Sequence, residues 1–284
     1  MSLIRLPGDQ LESPSLIGIS RWGLALKAFS CYSKSKVALK LLWNVSAAKD
    51  LLEVLKEVTL MTSLQHLCLI SLKRLICMGP QTYALITDLM DMSLRDLVLS
   101  EKSYSAEHIQ LIIYQVVLAL RHVNAAGLAH TGVGLNTVLL SATCDVKLWG
   151  FQGCTQHGDP LRPCKWVARA LSPEQVLCPT ASEKLDVYQT GLLFLSLLFR
   201  QDITELPSLP LLSSFSPLER DFATQLLAPD PSTRTTFQAA LSHPYFAALD
   251  LEPELDSPPP LNFSRLELLN KEELERELSL ALTN

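Results

Sequence analysis

The stretch SPEQVLCPTASEKLDVYQTG, residues 172–191, decides the fold class predicted for this chain. It opens on a Ser-Pro-Glu tripeptide and ends on the sequence DVYQTG, residues 186–191, within a strongly apolar run. That run predicts a helix over 185–199. A segment rich in proline and serine, 201–217, predicts a loop. Helical spacing then resumes over two segments, 217–228 and 235–242.

Strands dominate the chain before residue 93, and helices dominate it afterwards. Several short strands are predicted within 16–42, and two more over 67–77 and 82–90. Apolar spacing predicts a helix over 46–64 with Ser46 as its N-cap. The later elements are a helix over 105–126, short strands over 137–141 and 145–149, a long loop over 150–180 and a final amphipathic helix over 264–282. Strands first and helices afterwards indicate an α+β chain with two lobes.

Composition excludes several function classes. The chain has 284 residues, 48% of them hydrophobic and 19% charged, and a net charge of -5. A globular protein has this composition, and the charge is too small to indicate a nucleic-acid or membrane-surface partner. The seven cysteines form no Cys-x-x-Cys pair, so we expect neither a zinc site nor a disulfide framework. This favours a cytoplasmic location, with the nucleus as a second compartment.

Four motifs in the C-terminal half resemble those of protein kinases, in the family's order and near its spacing. Ser172-Pro173-Glu174 resembles the Ala-Pro-Glu that ends the activation segment, and residues 186–191 resemble the start of the large buried helix. Residues 230–234, DPSTR, resemble the segment whose arginine pairs with that glutamate, so the resemblance implies a buried ion pair between Glu174 and Arg234. HPYF, residues 243–246, resembles the helix end that closes many kinase domains.

The N-terminal half contains candidates for the family's nucleotide-binding elements. Gly18-Ile19-Ser20-Arg21-Trp22-Gly23 resembles a glycine-rich loop in which serine replaces the middle glycine. Val37-Ala38-Leu39-Lys40 resembles the strand that carries the phosphate-binding lysine, and Glu57 follows on the next predicted helix. Each motif alone has an ordinary alternative, a strand lysine or a solvated helix carboxylate. Their order implies a kinase-like fold over about residues 16–248, with a small, mostly β N-lobe and a larger, mostly α C-lobe that is shortened.

The catalytic chemistry of the family is missing at the matching positions. A kinase catalytic loop reads His-Arg-Asp-x-x-x-x-Asn, with the aspartate as base and the asparagine on magnesium. Here the stretch is HTGVGLNT, residues 130–137, so Gly132 stands at the base and Thr137 at the asparagine. Asn136 lies one residue early, and a shifted register would still provide no base.

The metal-binding Asp-Phe-Gly is replaced as well, because it reads Gly150-Phe151-Gln152. Loss of a general base lowers a rate by about 10²–10⁴. Loss of both magnesium ligands also removes the ion that stabilises the developing charge. The sequence therefore predicts an inactive kinase homologue, a pseudokinase, with no catalytic residues and no metal site.

The hinge stretch indicates a branch of the family. Residues 83–90, YALITDLM, resemble the stress-activated mitogen-activated protein kinases, which implies that Thr87 is the gatekeeper and that Met90 lines the adenine pocket. Three departures oppose this match. The activation-loop Thr-x-Tyr aligns with Arg162-Pro163-Cys164, Thr131 replaces the catalytic-loop arginine, and the chain between residues 199 and 216 is shorter than in the family.

The sequence predicts three regions: an N-lobe with hinge over 1–90, a degenerate C-lobe over 91–248 and a C-terminal extension over 249–284. The predicted function is a regulator that binds other signalling proteins, kinases or docking-motif peptides among them. The alternatives are a kinase homologue that binds ATP with residual or atypical serine/threonine kinase activity, and a decayed gene product. The chain requires no cofactor, and ATP would bind weakly and without magnesium. The remnant nucleotide pocket would comprise Gly18, Gly23, Lys40, Glu57, Thr87 and Met90.

An acidic segment follows the last helix of the kinase-like region. Its four carboxylates alternate along the chain, at Asp250, Glu252, Glu254 and Asp256. Alternation in an extended segment places side chains on one face. Stress-activated kinases recruit basic docking peptides in this region, so the resemblance implies a docking patch. The alternative is a solvated linker before the proline run at 258–260.

Overall fold

The computed structural model describes most of the chain in two compact units. The described residues are 3–20, 23–161, 172–176, 180–205, 214–249, 258, 261, 263, 266 and 268–281. The smaller unit comprises residues up to 65, residues 70–90 and residues from 263 onward. The larger unit comprises residues 66–69 and 91–262.

The smaller unit contains a six-stranded antiparallel sheet in the order β1-β2-β3-β4-β6-β5. Its strands are β1 (Leu3–Leu6), β2 (Asp9–Ser20), β3 (Gly23–Ser30), β4 (Ser35–Leu42), β5 (Leu72–Gly79) and β6 (Thr82–Asp88). Alternate side chains of a strand point to opposite faces, and Val37 and Leu39 accordingly enter one apolar core with Ile86. The sequence did not predict β1, which pairs with the start of β2.

The β1–β2 turn is anchored by a carboxylate. Asp9 accepts hydrogen bonds from the Ser30 hydroxyl at 2.6 Å and from the backbone N–H of Tyr32 at 3.0 Å, and it forms an ion pair with Arg74. Burial raises the pKa of Asp9, but these hydrogen bonds and the guanidinium outweigh it and lower the pKa below its ordinary value. The Asp9 side chain thus connects the β1–β2 turn to the end of β3, to the β3–β4 turn and to β5.

Among the described residues, helices α1 and α7 complete the smaller unit, and α1 begins later than predicted. Helix α1 spans Ala48–Ser63, and Ala47 is its N-cap, so the prediction of Ser46 as the cap is wrong. The last described helix, α7, spans Lys271–Ala281 and lies within the predicted range 264–282, part of which is outside the described residues. It begins there because Asn270 and Glu273 exchange side-chain to backbone hydrogen bonds, which satisfy two donors at the helix start. Leu274 and Leu278 are buried, and α7 packs on α1.

The larger unit is mostly helical. Its helices are α2 (Leu94–Leu99), α3 (Ala106–Ala125), α4 (Glu183–Phe199), α5 (Pro217–Leu226) and α6 (Phe237–Leu241). Helices α2 and α5 begin with reciprocal serine–acid caps, which explains where they start. Helix α4 is buried on all sides over residues 185–197 and packs against both α3 and α5. A Cβ atom at Gly191 of α4 would lie 2.6 Å from Leu227 Cγ, so this packing requires glycine.

Short strands arrange the loops of the larger unit. They are β7 (Met92–Ser93), β8 (Leu128–Ala129), β9 (Val138–Leu140), β10 (Val146–Leu148) and β11 (Thr155–Gln156). Strands β10, β9 and β7 form one sheet, and β11 pairs with β8. The β9–β10 hairpin therefore places the segment before β9 next to the segment after β10. The sheet-rich unit and the helical unit together confirm the predicted α+β, kinase-like fold class. Within the described ranges, no helix is long and apolar enough to cross a bilayer.

Candidate functional site

Lys40 and Glu57 form a buried ion pair in the smaller unit. Lys40 lies on β4 and its Nζ is 2.7 Å from each carboxylate oxygen of Glu57 on α1. The side chains are 13% and 3% exposed. A buried charge needs such a partner, and the pair fixes α1 against the sheet. The structure brings together the two residues that the sequence singled out for ATP phosphates.

Gly18 and Thr87 lie on the same sheet face as Lys40. Gly18 pairs with Ala25, which pairs with Lys40 on the next strand. Thr87 pairs with Ala38, two residues from Lys40 along β4. Residues paired across strands, and residues two apart along one, share a face. The Thr87 side chain is half-buried, and Met90 follows the end of β6 with a half-buried side chain.

Packing explains the presence of glycine at position 23 without any bound phosphate. It pairs with Ser20 at the tip of the β2–β3 hairpin, and a Cβ atom here would lie 1.9 Å from the Leu41 carbonyl oxygen. Close approach of β4 therefore requires glycine. At Gly18 an added Cβ would lie 3.8 Å from Ala25 Cβ, which is ordinary contact. The two glycines are thus weak indicators of nucleotide binding by themselves.

In the larger unit, internal hydrogen bonds hold the segment that replaces the catalytic loop. The hydroxyl of Thr137 donates to the Gly132 carbonyl at 2.7 Å and accepts from the Gly134 N–H at 3.0 Å. The Thr137 side chain is buried. The residue at the position of a magnesium ligand thus uses its oxygen to close the turn, and Gly132, at the position of the base, contributes only backbone.

Gly150 has no room for the carboxylate that the family carries at this position. Its φ is +95°, a left-handed conformation that side chains other than glycine adopt only with strain. A Cβ atom on Gly150 would lie 2.9 Å from Thr137 Cγ2. The two positions that hold magnesium in the family are packed against each other. These residues do not fit a magnesium ion.

Asp186, at the start of α4, binds the backbone at the beginning of the segment 130–137, which replaces the catalytic loop. Its carboxylate accepts the backbone N–H of His130 at 2.6 Å and of Thr131 at 2.7 Å. Burial raises the pKa of Asp186 to about 7, and the two N–H donors oppose the rise. Thr131 has a φ of +61°, a conformation that costs a β-branched residue energy, so the anchor stabilises a strained backbone.

The His130 side chain is buried, and it packs in the core of the larger unit. Its Nε2 bonds the Trp149 carbonyl at 3.1 Å, and because a carbonyl only accepts, Nε2 carries the proton. The ring packs edge-on against Phe151 with centroids 5.8 Å apart. Burial lowers the pKa of His130 to about 4, so the imidazole is neutral at physiological pH. The Phe151 that survives from Asp-Phe-Gly is buried as well.

The predicted ion pair between Glu174 and Arg234 is confirmed, with the Glu174 side chain 23% exposed. Two guanidinium nitrogens of Arg234 lie 2.6 and 2.9 Å from the Glu174 carboxylate oxygens, and the Arg234 side chain is fully buried. Burial alone would raise the pKa of Glu174, but the hydrogen bond from Arg234 and its positive charge lower it. The pair joins residues that are sixty positions apart in sequence.

Several predicted residues lie outside the described part of the chain. They are the docking carboxylates Asp250, Glu252, Glu254 and Asp256, and the activation-loop match Arg162-Pro163-Cys164. The docking patch therefore stays a prediction. The sequence interpretation missed the anchoring role of Asp186 and gave no role to Trp149, although a bulky aromatic residue directly before Gly150 was a visible signal.

The protein kinase domain model matches residues 11–246. Because the match covers most of the chain, this chain belongs to the protein kinase superfamily. Within the superfamily it resembles the mitogen-activated protein kinases. It is 23% identical to mitogen-activated protein kinase homolog NTF6 of Nicotiana tabacum, with 89% of this chain and 82% of the relative covered. It is 24% identical to mitogen-activated protein kinase 4a of Physcomitrium patens, with 87% and 80% covered.

Proposed function

We propose that this chain is a catalytically inactive kinase homologue that acts as a binding or regulatory partner in a kinase signalling cascade. The observation that carries the proposal is the contact between Thr137 and Gly150. A Cβ atom on Gly150 would lie 2.9 Å from the methyl carbon of Thr137, so the two positions that hold magnesium in the family leave no space for a carboxylate at residue 150. Without magnesium the transferred phosphoryl group lacks its main charge stabilisation.

Absence of a base supports the same proposal. Gly132 provides none, and its carbonyl is bound by Thr137. His130 is fully buried and its proton is directed to the Trp149 carbonyl, so it offers no substitute. Loss of a general base alone reduces a rate by about 10²–10⁴, before the loss of the metal is considered.

Purified protein is expected to transfer no phosphate above background. The measurement is mass-spectrometric detection of phosphorylated generic protein substrates and of the chain itself, with magnesium and ATP. Lys40→Ala is the matched variant, and it should give the same background as the parent. An active kinase in the same assay verifies that phosphorylation is detectable. Turnover in the parent that disappears in Lys40→Ala would refute the proposal.

A second candidate function is weak, magnesium-independent binding of ATP. The observation that favours it is the intact Lys40–Glu57 pair, in which a cation is fixed on the same sheet face as Gly18 and Thr87. An ammonium group can attract phosphate oxygens without a metal ion. The carboxylate of Glu57 competes for that charge at 2.7 Å, so weak affinity is expected.

Thermal stabilisation by ATP is expected to be the same with and without magnesium. A ligand at a tenfold excess over its Kd stabilises the folded protein by about 1.4 kcal/mol, so a Kd of about 1 mM is measurable at about 10 mM ATP. The melting temperature should be followed by differential scanning fluorimetry for the parent and Lys40→Ala, which should lose the effect. Stabilisation that appears only when magnesium accompanies ATP would contradict this expectation.

The proposal also covers the branch of the kinase family, the partners and the cellular compartment. The hinge residues Thr87 and Met90 support the stress-activated branch, and the resemblance to mitogen-activated protein kinases supports other signalling proteins as partners. A basic docking peptide would meet the carboxylates at 250–256 through charge attraction, which weakens with salt. We place this function in the cytoplasm, with the nucleus as a second compartment.

A further inference from the structure

Trp149 connects the end of β10 to the segment that replaces the catalytic loop. Its backbone N–H donates to the Thr137 carbonyl at 3.0 Å, and its own carbonyl accepts from His130. A third hydrogen bond comes from the side chain, where the indole Nε1–H donates to the Asn136 carbonyl at 2.8 Å. The first two hydrogen bonds use backbone atoms of residue 149, which do not depend on the tryptophan side chain. The third is specific to tryptophan.

The indole is fixed beside both positions that carry metal ligands in active kinases. Trp149 directly precedes Gly150, and Asn136 directly precedes Thr137. Asn136 is exposed and the Trp149 side chain is half-buried, so this hydrogen bond lies at the surface of the larger unit. An exposed carbonyl oxygen at this place would otherwise accept a hydrogen bond from a hydroxyl of a bound nucleotide or from a hydrated ion.

We infer that the Trp149 side chain hinders nucleotide binding to the larger unit. The indole N–H occupies the acceptor at Asn136, directly before Thr137, and Trp149 itself directly precedes Gly150. This inference rests on the proposed function of an inactive kinase homologue. It adds to that proposal a cause of weak nucleotide binding that is separate from the missing metal ligands.

Displacing the indole has an energetic cost. A nucleotide would have to break the Nε1–H hydrogen bond and expose part of an aromatic ring. Truncation of the side chain removes both costs. We therefore expect Trp149→Ala to bind ATP about tenfold more tightly than the parent, since tenfold corresponds to about 1.4 kcal/mol. A purely structural role for the indole predicts a lower melting temperature and an unchanged Kd.

The test is isothermal titration of ATP, without magnesium, into the full-length parent, Trp149→Ala, Trp149→Phe and Leu99→Ala. Leu99 is 62% exposed at the end of α2, so its truncation controls for a surface change elsewhere in the larger unit. Trp149→Phe retains a ring without the N–H donor, and its Kd should lie between those of the parent and the alanine variant. Leu99→Ala should match the parent.

An unchanged Kd in folded Trp149→Ala would overturn the inference, with folding checked by circular dichroism. If the alanine variant does not fold, a Kd of Trp149→Phe equal to the parent's overturns it instead. The phosphorylation assay separates the two proposals. Turnover by the parent would refute the proposal of an inactive kinase homologue. Tighter ATP binding by Trp149→Ala without turnover would support the role of Trp149 and would agree with the inactive kinase homologue.

Discussion

Arg234→Ala is expected to lower the free energy of unfolding by about 3–5 kcal/mol, because it leaves the Glu174 carboxylate without its buried partner. The guanidinium also donates to the carbonyl oxygens of Ala228, Lys184 and Pro229, at 2.9, 2.6 and 3.2 Å. It lies 4.9 Å from the ring centroid of Tyr188. A loss of this size is a large part of the stability of an ordinary domain.

Urea denaturation followed by circular dichroism measures this effect. The matched control is Arg220→Ala, because Arg220 is an exposed arginine on α5 whose loss should change stability by no more than about 0.5 kcal/mol. Arg234→Lys preserves the charge but cannot form the forked pair, so an intermediate loss is expected. If Arg234→Ala unfolds at the same urea concentration as the parent, the pair does not stabilise the fold.

The same pair has a pH signature. The pKa of Glu174 is lower in the folded protein than its ordinary value of 4.5, so the folded state favours the carboxylate. Its contribution to stability is therefore complete above that value and disappears as the pH falls through the lowered pKa. We expect acid to reduce the melting temperature of the parent more than that of Arg234→Ala.

Asp186→Ala is expected to lower the free energy of unfolding by about 2–6 kcal/mol, because one buried and one partly buried N–H group would each lose an acceptor at about 1–3 kcal/mol. The groups belong to His130 and Thr131, whose hydrogen bonds to the carboxylate are 2.6 and 2.7 Å long. Thr131 is also the strained residue with a φ of +61°, so the segment 130–137 should lose its conformation first. Hydrogen exchange resolved by mass spectrometry would show faster exchange there than in α5.

Asp186→Asn is the matched variant, since an amide of the same shape accepts through one oxygen and opposes the second N–H with its own donor. An intermediate loss of stability is expected at neutral pH. Burial raises the pKa of Asp186 from 3.8 to about 7, so the folded state retains the proton longer than the unfolded state. The parent therefore loses stability as the pH rises from 3.8 towards 7, whereas Asn does not titrate. The stability advantage of the parent over Asp186→Asn should shrink across this window, and an advantage that grows would contradict it.

Much of the fold follows from local patterns in the sequence. The period of the apolar residues predicts α3 and α4 within one or two residues, because burial of one face or of a whole helix produces a regular pattern of apolar residues. Start sites were less predictable. Ser46 has the chemistry of an N-cap, yet α1 begins at Ala48 after an uncapped Ala47, and α7 begins where Asn270 and Glu273 can cap each other.

The sequence by itself determined which chemical groups are present. Gly132 cannot act as a base and Gly150 cannot bind a metal through a side chain, in any fold. The resemblance to protein kinases also predicted the ion pair between Glu174 and Arg234, because each residue lies in a motif whose order is that of the family.

Only the tertiary structure decided whether the altered site retains space and free hydrogen-bonding groups. The β9–β10 hairpin brings Thr137 against Gly150 and Trp149 against Asn136, contacts that no pattern along the chain encodes. Side-chain direction there depends on the left-handed backbone of Gly150 and on the N–H groups held by Asp186 from α4. Local spacing carries the period of an element, whereas the filling of a site depends on packing between elements, and it is this packing that leaves no room for a carboxylate at Gly150.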